Sequence, residues 1–300
     1  LSWAVKPALI HAELVGLPIP AQPAEVPRLS VTPRRVVLCV LLSTGGMMQA
    51  RESASVAKMW TYVVDSQALE ARVMLDDLEG VDARTRELAL VVIALAKTPM
   101  SDGDCQRLDG QLAQLAEGSD EIAARAHYLR ARIYQIQLAT PDYARAEELY
   151  RSLARRWPQS HWTQLGMVKL GLVKLYALKT PADPRARLAE VAKLLEQVTE
   201  PTLRRDLAMQ MGWAANFYEL PIDEYLPYLI AADRVGGMLG ITPDDLMIQI
   251  GELSFRAGHL EQSRAYFERF LAEVVPGGRT YNVQQRLLEV IAKIEEGGPP

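Results

Sequence analysis

The chain has 300 residues, 33 basic and 37 acidic side chains, a formal net charge of -4 and 49% hydrophobic residues. That length suits one or two compact domains or a single elongated array, and the apolar fraction is ample for a core. The slight negative charge offers no overall attraction to nucleic acid or an anionic membrane, which disfavours phosphate-tracking functions.

Six of the 18 prolines (Pro7, Pro18, Pro20, Pro23, Pro27 and Pro33) fall in residues 1–33, which show no sustained helical period. This stretch reads as a disordered tail. It is followed by Arg34-Arg35, the apolar run at 36–42, the softer 43–48 and then Gln49-Ala50, so that 34–50 follows the positive, apolar, small order of a signal peptide. Cleavage after Ala50 or Ala57 meets the demand for small residues. The run is too short to span a bilayer. A leader preceded by a tail with no methionine before Met47 suggests a misplaced start, with translation beginning near Val31. Export would place the protein in the periplasm or cell envelope; a cytoplasmic protein with a fraying or buried helix at 34–50 is the alternative. If the leader is removed, Cys105 is the sole thiol of the mature chain, and no intramolecular disulfide can form.

Beyond the leader the three-and-four apolar spacing of helices runs almost without interruption. Residues 53–79 carry Val56, Trp60, Leu69, Val73, Leu75 and Leu78, with Gly80 as a stop and a helix over 82–97 after it. Ser101-Asp102-Gly103 opens a helix with Leu108, Leu112 and Leu115, and Ser119 or Asp120 caps the next. The 126–158 stretch then reads as two helices meeting at Thr140-Pro141-Asp142. The first buries Ile122, Ala126, Leu129, Ile133 and Ile136; the second buries Tyr143, Ala146, Leu149, Tyr150 and Leu153. Helices follow at 160–178, 184–198, 201–219, 222–238, 243–257, 260–274 and 281–295, several opened by proline in the first turn. No stretch alternates as a strand does. The prediction is an all-α chain of eleven to thirteen helices, with one repeat domain over 53–296.

These residues resemble the tetratricopeptide repeat (TPR) family, whose pattern is W-x2-L-G-x2-Y, then A-x3-F, then P. Ala146-x3-Tyr150 with Pro158, Ala131 with Tyr134, Trp162-x2-Leu165-Gly166, and Gly251 with Ser263-x3-Phe267 and Pro276 carry the likeness. With Ala131, Gly166, Gly212 and Gly251 as equivalent marks the steps are 35, 46 and 39 residues, against about 34 in the family; Leu170-Gly171 offers a competing register. The resemblance implies an α-solenoid of stacked antiparallel helical hairpins in a right-handed superhelix. Tyr150-x6-Trp157-Pro158-x-Ser160 is also similar to unit closures in helical-repeat proteins of bacterial envelopes, including the Tol–Pal coordination protein and the lipoprotein of outer-membrane β-barrel assembly.

No catalytic or metal-binding motif stands out. His11, His127, His161 and His259 lack partners at ligand spacing, and there is no phosphate loop and no G-x-S-x-G. The expected function is therefore a non-catalytic scaffold without cofactor or metal, taking a protein or peptide partner and no nucleic acid; an envelope enzyme acting on peptidoglycan is a further alternative. In TPR proteins a stripe of each first helix lines the inner wall. The stripes implied here are Arg125, Tyr128, Arg132 and Gln135; Met209, Trp213, Asn216 and Phe217; and Ile248, Glu252, Phe255 and Arg256. They would form a mixed basic and aromatic groove, with Arg125, Tyr128 and Arg132 exposed. Peripheral association with the envelope is compatible with this reading.

Overall fold

The computed structural model describes residues 54–64, 67–97 and 100–297; the predicted tail and leader lie outside them. Among the described residues there are thirteen α-helices and no strand. The chain divides into two compact units, 1–99 and 100–300, where the sequence reading drew a single domain.

In the first unit α1 (Ala54–Val64), α2 (Ala68–Asp77) and α3 (Ala83–Leu95) bury Met59, Trp60, Val63, Ala71, Leu75, Leu88 and Val92. Gly80, at φ 73°, turns the chain after α2, and the Asp82 carboxylate accepts the Thr85 N–H at 3.0 Å to cap α3. Arg86 donates to the carbonyls of Leu75 and Leu78 at 2.8 and 2.5 Å, tying the end of α2 to α3.

The second unit holds α4 (Asp102–Leu115), α5 (Glu121–Arg132), α6 (Tyr143–Arg156), α7 (His161–Leu172), α8 (Pro184–Gln197), α9 (Pro201–Phe217), α10 (Ile222–Val235), α11 (Thr242–Arg256), α12 (Leu260–Glu273) and α13 (Gly278–Glu295). Caps fix many of the starts. Ser101, Asp120, Asp142, Ser160 and Asp183 each accept backbone N–H groups of a first turn. The Thr140-Pro141 step does not open α6; Asp142 does.

Helices α5 to α12 pair as four hairpins, α5 with α6 through α11 with α12. First helices also touch, α5 against α7 and α7 against α9. The first helices begin at Glu121, His161, Pro201 and Thr242, steps of 40, 40 and 41 residues. That period is longer than the roughly 34 residues of a tetratricopeptide unit. Part of the extra length is a π-helical turn after α5 (Ile133–Gln137) and another after α7 (Val173–Ala177), closed by Leu138 N–H to the Ile133 carbonyl and Leu178 N–H to the Val173 carbonyl.

The small-residue marks change register accordingly. Ala131, Gly171, Gly212 and Gly251 are the equivalent positions, at steps of 40, 41 and 39 residues. A Cβ on Gly212 would lie 2.4 Å from Leu229, and one on Gly251 2.6 Å from Phe267, in each case a residue of the same hairpin's second helix. Gly166 instead faces Leu153 and Tyr150 of the preceding hairpin. Close approach leaves little void, and each fully buried Leu, Val or Phe between hairpins contributes roughly 1.5–3 kcal/mol. Helix α7 is the most enclosed, buried from Trp162 through Gly171.

Candidate partner-binding wall

The four candidates on α5 and its π turn are interior residues. Arg125, Tyr128, Arg132 and Gln135 are all buried, with Tyr128 fully so, which overturns the exposed stripe expected from sequence. The Arg125 guanidinium sits 4.7 Å from the Trp162 ring centroid, and the Tyr128 ring packs against Tyr150 and Trp162 at 6.2 and 5.5 Å. The Gln135 side-chain oxygen accepts from Arg132 at 2.8 Å and from the Tyr150 hydroxyl at 2.7 Å. Side chains from α5, its π turn, α6 and α7 thus form one polar and aromatic joint, in which the Arg125 guanidinium meets a ring face and Arg132 and the Tyr150 hydroxyl meet the Gln135 oxygen, contacts that offset the cost of burial.

A second joint beside it is ionic. Lys174, whose side chain is 7% exposed, reaches Glu147 of α6 at 3.0 Å and Glu190 of α8 at 2.6 Å. Burial raises the Glu147 carboxyl, but hydrogen bonds from Lys174 and Arg151 outweigh it and hold the group below its ordinary range.

The α9 and α11 candidates lie nearer the surface. Met209 is buried, yet Trp213 is half-buried and donates its indole N–H to Gln249 of α11 at 3.1 Å. Asn216 is exposed and accepts from the Tyr225 hydroxyl at 2.9 Å. Phe217 is 71% exposed and meets Tyr176 and Tyr218 edge-on at 6.3 and 5.2 Å. On α11, Ile248 is half-buried and packs with Met247, Phe267 and Phe270. Glu252 is half-buried and accepts from Arg286 of α13 at 2.8 Å. Phe255 lies under two cations, Arg286 at 5.1 Å and Lys293 at 4.4 Å, and Arg256 is exposed. The accessible candidates are therefore Trp213, Asn216, Phe217, Glu252, Phe255 and Arg256.

A row missing from the sequence reading joins them. Ile136, Tyr176 and Phe217 follow one another at 40 and 41 residues, the first two in the π turns after α5 and α7 and the third at the end of α9, and each is exposed. Ile136, expected from its spacing on the buried face, is thus a surface residue. The signal for the row in the sequence is the 40-residue spacing of the helix starts.

Other chemistry is sparse among the described residues. The Cys105 thiol is buried and its pKa is raised, by burial first and then by Asp102 and Asp104, which keeps it protonated and unreactive. No three His, Cys, Asp or Glu side chains gather as metal ligands. A cavity of about 450 Å³ opens between α10 and α12, lined by Leu226, Pro227, Ile230 and Gln262, with an Asp223–His259 pair at 2.7 Å. No described helix is long and apolar enough to cross a membrane.

What these residues define is an all-α protein of repeated helical hairpins with an aromatic first-helix surface. No family model, curated protein or solved structure matches the chain.

Proposed function

We propose that the helices from Glu121 to Glu295 form a TPR-like α-solenoid that binds a protein or peptide segment along its first-helix wall, without catalysis, in the bacterial periplasm or envelope. The observation that carries the reading is Phe217, an aromatic side chain left 71% exposed between Tyr176 and the half-buried Trp213. Large exposed aromatics flanked by polar groups are typical anchors for a partner. The regular first-helix steps and the small residues at Gly212 and Gly251 support a stacked array. Several titratable side chains are engaged in pairs such as Asp233 with Arg269 and Glu147 with Lys174, which supports a structural rather than catalytic use.

The test is a selection of phage-displayed random 12-residue peptides on the immobilised full chain, repeated on Phe217→Ser. The reading expects a family of binders that loses at least tenfold in affinity for the variant. Failure to enrich any family, or equal affinity for both proteins, refutes it. Fractionation of the native host addresses location, with recovery in the periplasmic or envelope fraction expected and recovery in the cytosol pointing to the adaptor alternative.

A further inference from the structure

Buried polar groups are nearly always hydrogen-bonded, so one that is not calls for a physical account. His127, on α5, is 4% exposed, and neither ring nitrogen makes a hydrogen bond of good geometry. Its imidazole lies 5.4 Å from the Trp157 ring at the end of α6. Trp157 is covered on its own account by the Arg156 guanidinium, 4.1 Å away, which donates onward to the Ala116 carbonyl after α4 at 3.0 Å. The Trp157 carbonyl in turn accepts from the Thr163 hydroxyl of α7 at 2.6 Å. His127 therefore sits at the corner where α4, α5, α6 and α7 are tied together.

The charges acting on this socket are cationic. Arg130 bears on it from α5, and Arg156 and Arg145 from α6. Two of these arginines are themselves paired, Arg130 with Asp109 of α4 at 2.7 Å and Arg145 with Glu148 of α6 at 2.5 Å, and no carboxylate is among the groups that act on the ring. The Leu149 carbonyl is a neighbouring acceptor that favours the charged ring, and it is outweighed. A neutral imidazole fits here; an imidazolium would be desolvated among like charges.

We infer that His127 makes the α5–α6 hairpin an acid-sensitive joint, in which protonation drives the ring out of its socket and opens the corner closed by Trp157. Burial first, and then Arg130, Arg156 and Arg145, push this imidazole down to about 4 from its ordinary 6.5. The sign follows from that direction. The opened state takes up a proton below about 6.5 while the closed state does not until about 4, so closure is fully favoured above 6.5 and is lost as pH falls toward 4. Between pH 7 and 5 the opening constant should rise roughly 20-fold.

Amide hydrogen exchange on the full chain, corrected for intrinsic rates, reads this directly. The expected result is a roughly 20-fold loss of protection in residues 121–156 at pH 5, with 201–273 unchanged and the loss absent in His127→Phe. An equal loss in the variant, or none in the natural chain, overturns the inference. Should His127→Phe fail to fold, titration of the His127 ring by NMR in the natural chain decides: no protonation down to pH 5 is expected, and a midpoint near 6.5 in the closed protein overturns it.

Discussion

Replacing Gly251 by alanine sets two effects of opposite sign against each other. Within a helix, alanine is favoured over glycine by about 1 kcal/mol. At Gly251 the added Cβ would sit 2.6 Å from one Phe267 ring carbon and 2.9 Å from two more. The ring is fully buried among Met247, Phe270, Val283 and Val290, so it has no free direction of retreat. Overpacking of this kind costs roughly 1–3 kcal/mol, which outweighs the helical gain and leaves a net loss of about 1 kcal/mol. Gly110 on α4 is the internal control, since nothing lies within 4 Å of its Cβ position; Gly110→Ala should stabilise by about 1 kcal/mol. Urea denaturation followed by helical circular dichroism measures both. Adding Phe267→Leu to Gly251→Ala should recover part of the loss, with a coupling of about 1 kcal/mol or more. If Gly251→Ala stabilises as much as Gly110→Ala does, the close approach of α11 and α12 is not as described.

Glu219 is a non-glycine residue with positive φ, 54°, just past the end of α9. Glu219→Gly should therefore raise stability by roughly 0.5–1 kcal/mol, seen as a higher urea midpoint at unchanged slope; a lower midpoint would contradict the left-handed geometry. Lys174→Met removes the cation shared by Glu147 and Glu190 and should cost roughly 2–3 kcal/mol at pH 7, less than for a fully buried pair because both carboxylates can rehydrate. Because the Glu147 pKa is lowered from 4.5 in the fold, the stability it supplies is complete above that value and is lost as pH falls through the lowered one. The gap in melting temperature between Lys174→Met and the natural chain should accordingly narrow below pH 4.5, and a constant gap down to pH 3 would disprove the assignment.

The helices were legible because their signals are local. Asp120, Asp183 and Ser160 cap through their own first turns, and of the apolar face expected on α6 Ala146, Leu149, Tyr150 and Leu153 are buried while Tyr143 is half-buried. The repeat register was not, because Gly166 and Gly171 are both small and only the partner distinguishes them: Leu153 and Tyr150 for the first, Leu207 and Val191 for the second. The site suffered from the same blindness. Arg125 and Gln135 look like surface residues until Trp162, thirty-seven positions beyond Arg125, and Tyr150 arrive from other helices to receive them. Conversely Phe217, which could be read as core, stays in solvent because its ring neighbours Tyr176 and Tyr218 stand beside it and do not cover it.

The two π turns act on the helix as a change of phase. A turn closed from residue i to i+5 contains one residue more than an α turn, and one residue is worth about 100° of rotation. Every side chain after Ile133 or Val173 is thereby carried around the axis relative to an uninterrupted helix. Ile136 lies in the first of these turns and Tyr176 in the second, at the same point of consecutive repeats, and both side chains are exposed. A single inserted residue, used twice at a 40-residue interval, thus resets the direction in which the chain leaves each of these helices.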